Sequence, residues 1–435
     1  MRFLGYKKKL SQLGVKGNSM KKVLVRGPAL SRSGYGEHAR FVLRSLKKHQ
    51  DKFDIYLINT GWGNTGWLFE DSEERRWLDA ILLKTTLYGQ QDGAYDLSMQ
   101  VTIPNEWEPL APINIGVTAG IETTQVDPEW IVKSHVVDKI ITVSEHSKNV
   151  YEKTSYVAEN QKTGQKVEDF RCKVPIDVVH YPVRHFEPQK MKLDLKTDFN
   201  FLAVAQWGPR KNLENTVRWF VEEFIDQNIG LILKANIVNN SIIDREEIGK
   251  RIEDMLKNYP QRKCKVYVLH GDNTDEEMAG LYTHPKIKAL VSLTHGEGFG
   301  LPLFEAAYMA LPIIAPDWSG HLDFLYVPTK DKKGKIRQKP HFAKLDYDIS
   351  PVPQEAVWNG VLHKDSMWCY PKQGSYKMRL RELFKDHGRF KSQANKLQKW
   401  VIENFEAEKQ YDKMVDSVIS VCKHDVDSES LAVFD

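Results

Sequence analysis

His295-Gly296-Glu297-Gly298-Phe299-Gly300-Leu301-Pro302-Leu303-Phe304-Glu305-Ala306-Ala307 joins a strand candidate, Ala289 to Leu293, to a helix candidate, Leu301 to Ala310. Gly298 and Gly300 let the backbone approach a ligand closely. Pro302 suits a first helical turn, where its missing N–H costs nothing. The free N–H groups of that turn form a ready anion site at the positive end of the helix. Leu301 and Glu305 are four apart and share a helix face, and Glu297 lies in the loop before it. A carboxylate, an anion cradle and a second carboxylate suit a ligand with both phosphate and hydroxyls, as a nucleotide sugar has.

Outward from this stretch, strand and helix patterns alternate in both directions. Lys22 to Gly27, Phe53 to Ile58, Leu97 to Val101, Ile113 to Val117, Lys139 to Val143 and Ile176 to Val179 are apolar strand candidates with helical patterns between several of them. After a crossing segment from Tyr181 to Pro188 the alternation restarts at Phe201 to Ala205 and runs to Pro312 to Ala315. This predicts an α/β fold of two doubly wound, Rossmann-like units of parallel strands facing across a cleft. The expected organisation is a basic lead-in over 1–20, an N-terminal acceptor-side domain over 21–190, a C-terminal donor-side domain over 196–375, and helices with a tail over 376–435. Val327 to Pro340 is read as a charged loop rather than an element, and Glu37 to Lys48 as a helix behind a glycine loop.

At 435 residues the chain is too long for one small core, which supports two domains. Its 62 basic and 58 acidic residues leave a net charge of +4, so nothing demands a nucleic-acid partner. Lys7, Lys8, Lys9, Lys16, Lys21 and Lys22 crowd the N-terminus. Such a start reads as a solvated tail, with weak contact to an anionic membrane surface or a polyanionic acceptor as the sharper alternative. Cys172, Cys264, Cys369 and Cys422 show neither metal-ligand spacing nor a disulfide framework, which suits a reducing compartment. No apolar stretch approaches a membrane span, and no apolar core follows the basic start as a secretory signal requires. The expected location is the cytoplasm.

Gly34-Tyr35-Gly36 follows the first strand, and Gly34 and Gly36 are candidates to line the cleft by phosphate-loop logic. Gly34 to Ala39 also fits G-x-G-x-x-A. However, Gly27 to Ser33 intervenes, and the second strand ends Ile58-Asn59 without an acidic ribose ligand, which argues against a nicotinamide or flavin cofactor. Arg210 and Lys211, after the strand ending at Ala205, are two cations able to neutralise a leaving diphosphate. Glu297 and Glu305 are general acid and base or ligands to sugar hydroxyls; the plainer role for Glu305 is compensation of the helix dipole. Trp62, Trp67 and Trp107 are candidates to stack on a sugar or base, against the alternative of ordinary packing. Asp346-Tyr347-Asp348 and Asp425-Val426-Asp427 match a short metal–diphosphate pattern, but neither follows a buried strand, so no metal site is assigned.

The opening stretch resembles the E-x7-E motif of retaining glycosyltransferases with the two-Rossmann-domain GT-B fold, in particular family 4 (group 1). Asp272 to Tyr282 is similar to the family segment before the motif, and Leu311 to Ala315 with Ser319-Gly320-His321 to the segment after it. Phe201 to Leu213 resembles the strand and basic loop that open the family's second domain. Gly116 to Ser147, with Glu122, is similar to the end of the first domain in some members. The resemblance implies that Glu305 binds the donor ribose and Glu297 the transferred sugar. It places the sugar and diphosphate on the backbone of Gly298, Phe299, Gly300 and Leu301, and Lys211 on the diphosphate. It also implies that the final helices cross back onto the first domain. Two departures stand out. Gln206 occupies a position where the family often has arginine, leaving Arg210 as the nearest replacement. Ala119-Gly120-Ile121-Glu122 carries no histidine where many members have one, which leaves Glu122 as a candidate on the acceptor side.

The expected activity is sugar transfer, with retention and without a metal or cofactor, from a UDP- or GDP-sugar to an acceptor hydroxyl. Polysaccharide, glycolipid, lipid-linked sugar, protein and a hydroxylated nucleic-acid base all fit as acceptor, with the enzyme a monomer or homodimer. Gln206 and the absent histidine favour the main alternative, a sugar-nucleotide-binding protein without catalysis. A sugar-nucleotide epimerase on the same double fold is a third reading.

Overall fold

The structure, a computed structural model, describes residues 20–63, 65–159 and 163–429. Lys7, Lys8, Lys9 and Lys16 of the basic lead-in lie outside the described residues, as do the side chains of Asp425 and Asp427.

In the first part of the chain the apolar runs form β1 (Lys21–Gly27), β2 (Phe53–Asn59), β3 (Leu97–Val101), β4 (Ile113–Thr118) and β5 (Lys139–Thr142). A hairpin of β6 (Ser155–Glu159) and β7 (Lys166–Arg171) precedes β8 (Ile176–Val178). Helices α1 (Gly34–Lys48), α2 (Glu73–Gly89), α3 (Pro128–Ser134) and α4 (Glu145–Lys153) connect them. The sheet is parallel, in the order β2-β1-β3-β4-β5-β8. Val23, Val25, Met99, Val101, Ile115 and Val117 have no exposed surface. Strands covered on both faces read as continuous apolar runs, which is why the sequence displays them.

The second part repeats the plan with β9 (Asn200–Gln206), β10 (Gly230–Asn236), β11 (Lys265–Leu269), β12 (Ile287–Val291) and β13 (Ile313–Pro316). A hairpin of β14 (Tyr326–Lys330) and β15 (Ile336–Pro340) leads to β16 (Ala343–Leu345), and β17 (Tyr347–Pro351) pairs with β18 (Met367–Pro371). Helices α5 (Leu213–Glu223), α6 (Ile242–Leu256), α7 (Asp275–Tyr282), α8 (Leu301–Tyr308) and α9 (Leu322–Leu325) lie between strands. The parallel order β11-β10-β9-β12-β13-β16 reverses between β9 and β12. Loops at such a reversal splay apart and leave a crevice at the carboxyl ends of the strands.

The chain ends in α10 (Gln373–Lys385), α11 (His387–Asn404) and α12 (Ala407–Glu429). α10 packs on α5 and β16, and α11 on α8, while α12 crosses to α1 of the first domain. There Lys139 Nζ donates to Ser420 Oγ at 2.6 Å and to the Ser417 carbonyl at 3.2 Å. Beside the crossing, Tyr181, Phe299, Phe304, Phe324 and Phe405 form an aromatic cluster shared by both domains.

Three sequence expectations are corrected. Asp346-Tyr347-Asp348 does follow a buried strand: it comes directly after β16, where Ala343 and Leu345 are buried. The charged stretch within 327–340 is a β-hairpin, closed by Asp331, whose carboxylate accepts the N–H groups of Lys333 and Lys335 at 2.9 and 3.0 Å. All of Ile336–Lys339 is exposed, so the ribbon carries no alternation of apolar and polar residues to reveal it. The β6–β7 hairpin is hidden because its half-buried side does not coincide with its apolar residues: Val157 and Val167 face solvent. The first helix starts at Gly34 rather than Glu37, because Ser33 Oγ caps it by accepting the Gly36 N–H at 3.0 Å.

Candidate functional site

The two domains enclose a cleft of about 980 Å³ at the carboxyl ends of β1, β4, β9 and β12. On the second domain, the β9 loop turns through Pro209–Lys211 into Asn212, which adopts a left-handed conformation at φ 53° that asparagine tolerates. The His295 N–H donates to the Arg210 carbonyl at 2.8 Å, tying this loop to the one after β12. That second loop enters α8 through Gly300 at φ 91°, and no side chain caps the helix start. The first-turn N–H groups therefore face the cleft as an anion cradle.

Glu297 stands between the two cations. Lys211 Nζ lies 2.5 Å from one carboxylate oxygen and Arg210 Nη1 3.2 Å from the other. Arg210 also donates to the Gly296 carbonyl at 2.6 Å and reaches Glu122 of the first domain at 3.5 Å. Burial pushes the Glu297 carboxyl upward, but Lys211 and Arg210 outweigh it and hold the group down at about 2. A carboxylate so firmly ionised is a poor proton acceptor at neutral pH. Burial lowers the Lys211 ammonium, and Glu297 opposes that shift.

Glu305, one turn into α8, accepts a hydrogen bond from Tyr282 Oη at 2.7 Å. Burial raises its carboxyl to about 7; Tyr282 and Arg184 pull it down, while Asp275 and Glu37 add to the rise. The folded value lies above the ordinary one, so the full stability is present below the ordinary carboxyl range and is lost as pH rises from there through about 7. Glu305→Gln should therefore raise the thermal midpoint at pH 8 and leave it unchanged near pH 4. Equal midpoints for both proteins at both pH values would remove the case for a strained carboxylate.

The glycine loop is clamped from two sides. A Cβ on Gly298 would stand 1.8 Å from the Ala119 carbonyl oxygen and one on Gly296 2.2 Å from that of Glu122, both in the first domain. From the other side, Ser319 Oγ accepts the Glu297 N–H at 2.9 Å, and the Gly320 N–H donates to the Glu297 carbonyl at 2.9 Å.

Glu297, Lys211, Arg210, Glu305, Glu122, Gln206, Gly34, Trp62 and the Gly298 to Leu301 loop all line the one cleft. Gln206 donates its amide to the Ile237 carbonyl at 2.8 Å. Phe299 contributes only backbone to the cleft, since its ring is buried in the aromatic cluster. Three candidates fall elsewhere. Gly36 faces inward, where a Cβ would meet the Ser31 carbonyl oxygen at 2.0 Å, so its glycine serves close packing in α1. Trp107 has no exposed surface and fills the space left by Gly116, so it cannot stack on a ligand. Trp67 is 48% exposed and pairs with Ser31 outside the cleft wall. Trp62, by contrast, lies tilted against Tyr35 within it, with ring centroids 4.2 Å apart. Asp348 is taken by Lys372 at 2.9 Å. Sequence reasoning missed Tyr282, Arg184 and Asp275, which surround Glu305, because α7 and the crossing segment that carry them are remote from Glu305 along the chain.

Two Rossmann-like domains, a cleft between the carboxyl ends of their sheets and a returning C-terminal helix define the GT-B fold. The same fold is found in a sucrose-phosphate synthase from Thermosynechococcus elongatus, at a TM-score of 0.58 and 13% identity, with 93% of this chain and 100% of that one covered. A glycosyltransferase from Rickettsia africae has a TM-score of 0.57 at 13% identity, over 93% and 99% of the two chains. HepE of Anabaena, solved with UDP and glucose, gives 0.54 at 12% identity, over 92% and 100%. In sequence, 121 residues, 27% of this chain, are 33% identical to the serotype-specific mannosyltransferase WbdA of Escherichia coli. That match spans only 13% of WbdA. No protein-family model matches the chain. Among the described residues, no helix is long and apolar enough to cross a membrane.

Proposed function

We propose that the protein is a retaining, metal-independent glycosyltransferase that moves a sugar from a nucleoside-diphosphate sugar to an acceptor hydroxyl of a glycan or glycolipid. The observation that carries this reading is the convergence of Lys211 and Arg210 on Glu297 beside the uncapped start of α8. The cradle and Lys211 take the diphosphate, Glu305 the ribose and Glu297 the sugar hydroxyls. The relatives named above for sugar transfer, and the UDP held by HepE, support the donor class.

In the reaction the bond from the anomeric carbon to the diphosphate oxygen breaks and the acceptor oxygen bonds to that carbon on the same face. The acceptor proton passes to the departing phosphate oxygen. Negative charge grows on the diphosphate in the transition state, where preorganised donors stabilise it most. Glu297, held ionised by its two cations, positions the sugar and needs to accept no proton. Retention then requires no protein nucleophile.

The test is donor hydrolysis. Incubated with nucleotide sugars and no acceptor, the protein should slowly release nucleoside diphosphate, at a rate that EDTA leaves unchanged. Absence of release with every donor would reject catalysis in favour of a binding protein, and loss of release in EDTA would reject metal independence.

A further inference from the structure

The direction of the nucleoside within the cleft follows from the sheet. Lys211 lies in the loop after β9, and β10 and β11 are the successive strands on one side of β9. Strands stand about 4.8 Å apart, so the ends of β10 and β11 are about 5 and 10 Å from that of β9. Glu305 leans to this side, since its partner Tyr282 belongs to α7, the helix after β11. A nucleotide with its diphosphate at Lys211 and its ribose at Glu305 therefore places its base at the ends of β10 and β11.

Lys234, Asp272, Asp275 and Glu276 are the charged side chains that line the cleft there, and Lys234 and Asp272 stand together directly after the two strands. Lys234 Nζ donates to the Gly271 carbonyl, which puts its ammonium beside the next residue, Asp272. The Asp272 side chain is 43% exposed and has Arg32 Nε of the first domain at 4.0 Å and the Asn240 amide as a donor. The neighbouring Asp275 is already paired with Arg184 at 3.1 Å.

A carboxylate only accepts hydrogen bonds, through two adjacent oxygens. Guanine presents two adjacent donors, N1–H and the N2 amino group, beside the O6 acceptor that an ammonium suits. Uracil presents one N–H between two carbonyl oxygens, which a carboxylate repels. Adenine presents an amino group beside a bare ring nitrogen. Resting on the donor reading above, we propose that Asp272 and Lys234 select guanine, so that the donor is a guanosine-diphosphate sugar.

The experiment is calorimetric titration of the full chain with GDP, IDP and UDP, repeated on Asp272→Asn. Hydrogen bonds to a charged partner correspond to about 10- to 100-fold in affinity, so GDP should bind at least about tenfold more tightly than IDP, which lacks the N2 amino group, and than UDP. Asp272→Asn should remove most of that advantage, weakening GDP while UDP, relieved of the carboxylate's repulsion, binds no more weakly than before, and the half-exposed position keeps the variant folded. UDP binding as tightly as GDP, or a GDP-to-UDP ratio unmoved by Asp272→Asn, overturns the guanine assignment alone. Failure of every nucleoside diphosphate to bind overturns the donor reading and this assignment together.

Discussion

Lys211→Ala should lower turnover by about 10²–10³-fold, the scale on which losing one preorganised stabiliser of developing charge is felt. The lysine is held where that charge forms, its Nζ 2.5 Å from Glu297 and close to the start of α8. Because the negative charge grows toward the transition state, kcat should fall more than KM rises. The variant should fold, since Glu297 keeps Arg210 as a partner at 3.2 Å and is not left buried and unpaired. Steady-state rates with a turned-over donor, together with the thermal midpoint, separate the two effects. Near-normal kcat in a folded variant would remove Lys211 from the charge-stabilising role and with it the main support for the mechanism.

Gly298→Ala should be almost as damaging, although it adds one methyl group and removes no polar contact. Its Cβ would stand 1.8 Å from the Ala119 carbonyl oxygen across the cleft, so either the glycine loop or the first domain must shift. The partner is backbone and cannot swing aside. A displacement of about 1 Å between groups that must meet in the transition state can cost about 10²-fold in rate. The loss should appear mainly as a lower kcat, with a modest fall in thermal midpoint: both sheets stay intact, but the neighbouring Phe299 belongs to the apolar core that the two domains share. Gly208→Ala is the control. A Cβ there meets nothing within 4 Å and the backbone is extended, so activity should remain. If Gly298→Ala turned over like the unchanged protein, the close approach of the two domains at Ala119 would have no part in catalysis.

How much of this was legible beforehand depends on the range over which each feature is encoded. The first sheet and all but the edge strand β16 of the second show in the sequence, because burial on both faces demands unbroken apolar runs such as those of β1 and β9, whereas β16 is only three residues long. The hairpins β6–β7 and β14–β15 do not show, because a ribbon in solvent imposes no such demand. The candidate site divides in the same way. Gly298, Gly300, Pro302 and Glu305 occupy one short stretch, and their meaning rests on local backbone rules. The three tryptophans proposed for stacking could not be told apart, because a position after a strand says nothing of the direction in which a ring turns. Trp107 turns inward over Gly116, and Trp62 stays in the cleft against Tyr35.

The sequence by itself determined the doubly wound plan, the glycine loop and the start of α8 behind it, all of which follow from the pattern of neighbouring residues. Only the tertiary structure decided what faces that loop. Arg210 bridges Glu297 to Glu122 of the other domain, burial raises the Glu305 carboxyl against the pull of Tyr282 and Arg184, and Ala119 presses on Gly298. These partners are distant in sequence and meet only when two sheets close on one cleft. Charge pairing and steric contact depend on that distance in space, which no spacing along the chain encodes.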